Sequence, residues 1–169
     1  IVGEIRGAEG YTMFAAMNTG HRGVMGTVHA NSAKETIVRL NSPPISVPTS
    51  MLSSLNLILM QNRIHDRRKG TIRRVTEVAE LIPSQELGMP ELQVLYRWDP
   101  VMDVLQSTGA ESFYLQEMCK FSGMNRTDVE KELALRTAIL EGLIKKGLRN
   151  VNDVCAVTQN YVNKKKLLV

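Results

Sequence analysis

The sequence predicts an α/β fold followed by a helical segment, and three observations carry that expectation. Alternating or β-branched stretches recur between Val24 and Trp98. Helix-spaced apolar positions, with start and stop residues at their ends, lie among those stretches. After Ser107-Thr108-Gly109 the strand signals end and helical periodicity takes over. The expected division is therefore an α/β part over 1–107 and a helical C-terminal segment over 108–169. A chain of 169 residues, 43% hydrophobic and 22% charged, has an ordinary globular composition. That balance excludes the disordered, collagenous and disulfide-scaffold classes.

The elements follow in order. The chain opens Ile1-Val2-Gly3-Glu4-Ile5-Arg6-Gly7, and an apolar dipeptide at the first position reads as the tail of a buried strand. The chain is accordingly expected to be the later half of something longer. Tyr11, Phe14, Ala15 and Asn18 are helix-spaced, and Gly20 supplies a left-handed stop, so a helix is predicted over 11–19. After the turn Gly20-His21-Arg22-Gly23, a short strand is expected over Val24 to Ala30. Ser32 and Glu35 form a capping box, and the helix it opens ends before Asn41-Ser42-Pro43-Pro44. Another helix is predicted near Thr49 to Ser54, then a strand over Leu55 to Arg63 that reads as buried on both faces. His65 to Gly70 reads as a charged turn, and Thr71 to Ile82, rich in Val, Ile and Thr, as an antiparallel strand. Pro83 to Pro90 turns again, Leu92 to Trp98 is a third strand, and Asp99-Pro100 closes it. Helices are expected near 111–121, 126–146 and 151–163, with Val129, Leu133, Leu140 and Ile144 on one face of the middle helix.

Several classes fall away. No stretch of about 18 apolar residues occurs, so no membrane-spanning helix is expected. The N-terminal residues do not read as a signal peptide. Cys119 and Cys155 have no metal-ligand spacing and read as free thiols, and no metal site is expected. The net charge of +4 permits contact with acidic surfaces without demanding nucleic acid. Lys164-Lys165-Lys166 reads as a solvated terminus, and the nine Met residues read as core filler.

Three groups of residues carry possible chemistry. Glu4 ends a buried strand, where a carboxylate is held rigidly at a sheet's C-terminal edge and can orient or deprotonate a water. The plainer alternative is an acid paired with Arg6. His21 and His29 are eight residues apart. An imidazole at a strand end can hydrogen-bond a phosphate or an attacking water, or can be a histidine satisfied by backbone. Thr27 shares the face of His29. The third group is a basic hairpin of Arg63, His65, Arg67, Arg68, Lys69, Arg73 and Arg74, opposed only by Asp66. It fits phosphate or carboxylate recognition, or a solvated edge charged against strand pairing.

Taken together, VGEIRG (Val2 to Gly7), MNTGH (Met17 to His21), GTVHANS (Gly26 to Ser32), VPTSMLSSLNLILMQNR (Val47 to Arg63) and RRVTEVAEL (Arg73 to Leu81) resemble the Walker B and histidine-box region of the type II/type IV secretion ATPases. The archaeal branch, with its helical C-terminal segment, is the most similar. The resemblance implies a partial P-loop domain, made of later sheet strands plus antiparallel additions, from a hexameric motor that drives secretion or pilus assembly. It implies that Glu4, preceded by Gly3, activates the hydrolytic water, that Arg6 orders the site, and that His29, with His21 and Thr27, senses the terminal phosphate. Arg63, Arg73 and Arg74 match arginines near subunit contacts. ATP and Mg²⁺ would be the cofactors, a homo-hexamer and an inner-membrane platform protein the partners, and the cytoplasmic side of the membrane the location. Nucleic acid is not expected as a partner. The chain contains neither G-x-x-x-x-G-K-[ST] nor a four-cysteine zinc module. The first absence implies that the isolated chain is inactive, and the second argues against the bacterial type II form. A half-domain is also expected to leave one sheet edge and one face uncovered. The competing readings are a basic nucleic-acid-binding module and a helical partner-docking adaptor.

Overall fold

The computed structural model describes residues 1–21, 23–84 and 90–166. The chain forms two compact units, Ile1–Tyr114 and Leu115–Val169.

The first unit opens with an extended segment rather than a full strand. Val2 bridges Gly26 in parallel, and its N–H donates to the Met25 carbonyl while that of Ile5 donates to the Thr27 carbonyl, each at 2.8 Å. The strand expected over Val24 to Ala30 is reduced to this bridge, because Met25, Gly26 and Thr27 are exposed and bring little apolar surface to a ladder. Helix α1 spans Glu9–Asn18 and buries Gly10, Met13 and Phe14. Its inner face is thus one step round from the predicted one, and Tyr11 is 47% exposed. Gly10 is needed for close approach, since a Cβ there would lie 2.5 Å from Ile45 Cγ2 and 3.0 Å from Ile5 Cγ2. Gly20 ends the helix region at φ +92°, a conformation other residues rarely adopt.

Helix α2 spans Ala33–Asn41. The Ser32 side chain accepts from the Glu35 N–H at 3.1 Å. Glu35 reaches back one residue further than a capping box requires, accepting from the Asn31 N–H at 3.0 Å. Helix α3 is a single turn, Thr49–Leu52.

Four antiparallel strands follow in the order β1-β2-β3-β4: β1 Leu57–Asp66, β2 Gly70–Ile82, β3 Glu91–Asp99 and β4 Val104–Ser107. Ile58 and Met60 of β1 are buried while Leu57, Leu59, Gln61, Arg63 and His65 face outward. The strand is therefore buried on one face, not two: antiparallel sheets leave one face to solvent, and the leucines at 57 and 59 fall on it. β4 was not anticipated; its four residues are all exposed and carry no apolar alternation. The turn expected over Pro83 to Pro90 lies partly outside the described residues. The core joins Ile5, Phe14, Ile37, Leu40, Val47 and Leu52 to Ile58, Met60, Ala79 and Leu81.

Among the described residues Glu80 is the one fully buried carboxylate. It accepts from Gln93 Nε2 at 2.9 Å, Ser112 Oγ at 2.8 Å and the N–H groups of Phe113 and Tyr114 at 2.7 and 3.2 Å. The last three lie at the start of helix α4, Phe113–Ser122, so a strand side chain satisfies the first free donors of a helix.

The second unit holds most of α4, then α5 (Arg126–Lys145) and α6 (Val151–Lys166). Asn125 caps α5, accepting from the Asp128 N–H at 2.9 Å. Glu132 accepts from Arg136 Nε at 2.8 Å and from the Tyr161 hydroxyl, tying α5 to α6. Val129 and Leu143 of α5 are buried, but Leu133, Leu140 and Ile144 are 44%, 53% and 69% exposed. The apolar face predicted for α5 is thus mostly open. Methionine divides likewise: Met13 and Met60 are core, whereas Met25 and Met102 are exposed.

Candidate functional site

Residues 2–5 and 25–29 run side by side, and this juxtaposition builds the site. The Ile5 side chain is buried beneath it, which turns its neighbour Glu4 to the opposite side of the extended backbone. Thr27 Oγ1 donates to the Gly3 carbonyl at 2.6 Å and ties the two segments together immediately before Glu4.

The Glu4 carboxylate is gripped from two directions. Arg6 Nε and Nη2 donate to its two oxygens at 2.6 and 2.8 Å, a bidentate fork. His29 Nε2 lies 3.1 Å from Oε1. An ionised carboxylate only accepts, so this contact places the imidazole hydrogen on Nε2. The Arg6 bonds are the main cause that holds the Glu4 carboxyl below its usual range. Partial burial opposes them, and the charges of Arg6, His29 and Arg39 add to them. The reciprocal effect raises the Arg6 guanidinium. Arg6 and His29 are themselves well exposed, so the open side of the trio is cationic.

Glu9 fixes the turn behind Arg6. Its Oε1 accepts from the Arg6 N–H and from the Gly7 N–H, the latter at 2.9 Å, and these backbone bonds lower its pKa. Glu9 was missed by reasoning from motifs; the only sequence signal is an acid in the first turn of α1. Arg39, on α2, was also missed, ten residues beyond the histidine whose partner it influences.

The other candidates are placed as follows. His21 follows α1, is exposed, and its N–H donates to the Ala16 carbonyl. Among the described residues no side-chain bond joins it to Glu4 or His29. Arg63 and Arg73 are exposed cross-strand neighbours on β1 and β2. Arg74 has a different role: its Nε and Nη2 donate to the two oxygens of Asp103 at 2.7 and 2.8 Å. Asp103 also accepts from Lys69 Nζ at 2.6 Å and Trp98 Nε1 at 3.1 Å. Arg74, then Lys69 and Trp98, drive its carboxyl far below the usual range. The hairpin is therefore opposed by two acids, not by Asp66 alone. Asp66 accepts from the N–H groups of Arg68 and Lys69 and shapes the turn. A shallow depression lined by Arg97, Trp98, Asp99, Gln106 and Ser107 contains none of the Glu4 group.

Among the described residues no group of three His, Cys, Asp or Glu could hold a metal ion, and no helix is long and apolar enough to cross a membrane. Glu4, Arg6, Thr27 and His29 present one carboxylate, one guanidinium, one hydroxyl and one imidazole together. That set fits the terminal end of a phosphate chain and its water, and supplies no grip for the rest of a nucleotide.

Comparison with known proteins gives the same direction. The chain is 35% identical over 147 residues to an uncharacterized protein of Methanocaldococcus jannaschii, covering 86% of this chain and 53% of that protein. A second uncharacterized protein of that organism is 34% identical over 165 residues, covering 95% of this chain and 22% of its own length. The conjugal transfer protein TrbB of Rhizobium radiobacter is 31% identical over 81 residues, 48% of this chain and 25% of that protein. The chain thus spans about half the length of the first of these relatives and about a quarter of the other two. The profile of the type II/IV secretion system proteins matches residues 1–156, from the segment that carries Glu4 into the last helix. With nearly the whole chain inside that match, this protein belongs to the type II/IV secretion system protein family.

Proposed function

We propose that the chain is the C-terminal part of a secretion or pilus-assembly motor ATPase, a P-loop domain from its Walker B strand onward with a helical segment behind it. The observation that supports this most is the meeting of Glu4, Arg6 and His29, drawn from two segments distant in sequence, on the rim of a buried core. The parallel bridge between Val2 and Gly26 fits the edge of a doubly wound sheet, whose ligands sit at the strand ends.

Bound Mg-ATP would supply the phosphoryl group and the metal's charge. Glu4 Oε1 and Oε2, kept ionised by Arg6, orient a water and accept its hydrogen bonds. Arg6 holds the carboxylate in one orientation, and Thr27 holds the backbone before it. His29 Nε2–H is turned toward Glu4 and can turn instead toward a terminal phosphate, which makes it the sensor. Gly3 leaves the carboxylate's approach open, with nothing within 4 Å of where a Cβ would stand. Arg63 and Arg73 remain available to another chain, while Arg74 is bonded to Asp103. The full-length protein would act as a homo-hexamer on the cytoplasmic side of the membrane, reaching the bilayer through a platform protein.

The test is Glu4→Gln in the full-length protein. ATP turnover should fall by about 10²-fold or more, with Mg-ATP affinity unchanged by calorimetry. Turnover at the wild-type rate would refute the assignment. The 169-residue chain alone contains no GK[ST] loop, so calorimetry should detect no micromolar Mg-ATP binding to it.

A further inference from the structure

We propose that Glu77 is a positioning residue for His29, fixing through the start of α2 the place from which the imidazole meets Glu4 and a terminal phosphate. The inference rests on the ATPase reading and adds to it a residue from the antiparallel sheet.

The register of β1 and β2 explains how Glu77 comes to face α2. Gln61 lies opposite Val75 and Met60 opposite Glu77, which leaves Thr76 as the extra residue of a bulge. The bulge is bonded in place: Asn62 Nδ2 donates to Thr76 Oγ1 at 2.8 Å, and Thr76 Oγ1 donates to the Met60 carbonyl at 3.4 Å. In an unbroken strand Glu77 would share the side of Arg73 and Val75, which is the outward side of Arg63 and Gln61. The extra residue turns it over, onto the side of the buried Met60 and Ala79. There its Oε1 accepts from the Ala33 N–H at 3.4 Å. Ala33 is the first residue of α2 and fully buried, so its N–H is beyond solvent and has no acceptor within the helix. Ser32 takes the Glu35 N–H and Glu35 takes the Asn31 N–H, so the local cap leaves the Ala33 donor to the sheet. A carboxylate also suits the positive end of a helix. Arg97, opposite Glu77 on β3, steadies the other oxygen, with Nη2 3.6 Å from Oε2.

His29 lies on the span between this anchor and another. At the other end the Thr27 carbonyl accepts from the Ile5 N–H at 2.8 Å, and Thr27 Oγ1 donates to the Gly3 carbonyl at 2.6 Å. Residues 28–32 belong to no helix or strand. The His29 backbone therefore takes its place from Thr27, from Val28 against the core and from the start of α2. Loss of the Glu77 bond frees the α2 end of the span and lets His29 Nε2 leave its 3.1 Å approach to Glu4 Oε1.

The experiment is a double-mutant cycle on ATP turnover by the full-length protein. Glu77→Ala should lower kcat about tenfold, with KM for Mg-ATP within about twofold of the parent, since a group displaced by about 1 Å slows catalysis without loosening the nucleotide. Glu77→Gln, whose amide oxygen still accepts from the Ala33 N–H, should recover most of the loss. In a His29→Ala background Glu77→Ala should cost nothing further, because no imidazole is left to place. A residue that only stabilises the fold gives the same loss in both backgrounds, so equal losses overturn the proposal. So does a kcat unchanged by Glu77→Ala while Glu4→Gln abolishes turnover, an outcome that leaves the ATPase reading standing. If Glu4→Gln turns over at the wild-type rate, the reading and the proposal fall together. Where Glu77→Ala melts below the assay temperature, Arg97→Ala, at an exposed side chain, runs the same cycle. A smaller loss is then expected in the parent and none beside His29→Ala, and equal losses or no loss overturn the proposal in the same way.

Discussion

Glu4 is held by Arg6 and His29 at once, and the two contacts have different consequences. The fork from Arg6 is a structural pairing that keeps the carboxylate ionised; the contact with His29 links two segments that the chain must fold to bring together. Because the folded-state pKa is depressed, the pair's contribution to stability is complete above the ordinary value of 4.5. It is lost as pH falls through the lower folded value. In an NMR titration of the glutamate carboxyl carbons, Glu4 should therefore titrate below 4.5, and Arg6→Ala should move it upward. A Glu4 midpoint unaffected by Arg6→Ala would contradict the assigned cause. At this scale the pairing of Glu4 with Arg6, the plainer of the two sequence readings, was legible from adjacency, whereas the contact of Glu4 with His29 joins two motifs whose meeting no local spacing announces. Asp103 was not legible either: it opposes Arg74 from 29 residues away, across a sheet.

Among the elements, α2 was the most readable, since Ser32 and Glu35 carry a start signal in four residues. Ser32→Ala should cost about 1 kcal/mol in chemical denaturation, the usual value of an N-cap hydroxyl. β1 was readable as a strand but not in its burial, because leucines on both faces look the same whether or not a layer covers each face. α1 was located correctly while its inner face was not, since Gly10 contributes to packing by having no side chain. Gly10→Ala should be destabilising. Overpacking against the stiff Ile45 side chain costs about 1–3 kcal/mol, against a gain of at most about 1 kcal/mol in helix propensity. A Tm above that of the parent would show that α1 can shift outward freely. Glu80→Ala removes a shared acceptor of Ser112, Phe113 and Tyr114 at the root of α4, and losing a hydrogen bond to a charged acceptor costs about 1–3 kcal/mol. The expected result is a marked loss of unfolding free energy, with the helical circular-dichroism signal reduced.

For the whole molecule, the two units differ in how much they bury. The first gathers the core from Ile5 to Leu81. The second buries Val129 and Leu143 and leaves leucine, isoleucine and valine side chains on its surface. Hydrogen exchange should reflect this: amides of Ile58–Met60 and Ala79–Leu81 should be the slowest, and those beyond Leu115 should exchange through smaller openings. Uniform protection along the chain would indicate one cooperative body instead. The change of texture near residue 107 was visible because strand and helix periods differ. The openness of the later helices was not, because periodicity reports that a face exists and says nothing about whether anything lies against it.

Glu80 gives the sheet control over something outside it. Its carboxylate faces the α4 root only in the present pairing of β2, and a slip of one residue would put Ala79 there and send the acid to the other side. Mispaired hairpins would then betray themselves at a distance, through a helix that fails to begin, so the correctness of strand alignment is proofread by the segment that comes after it.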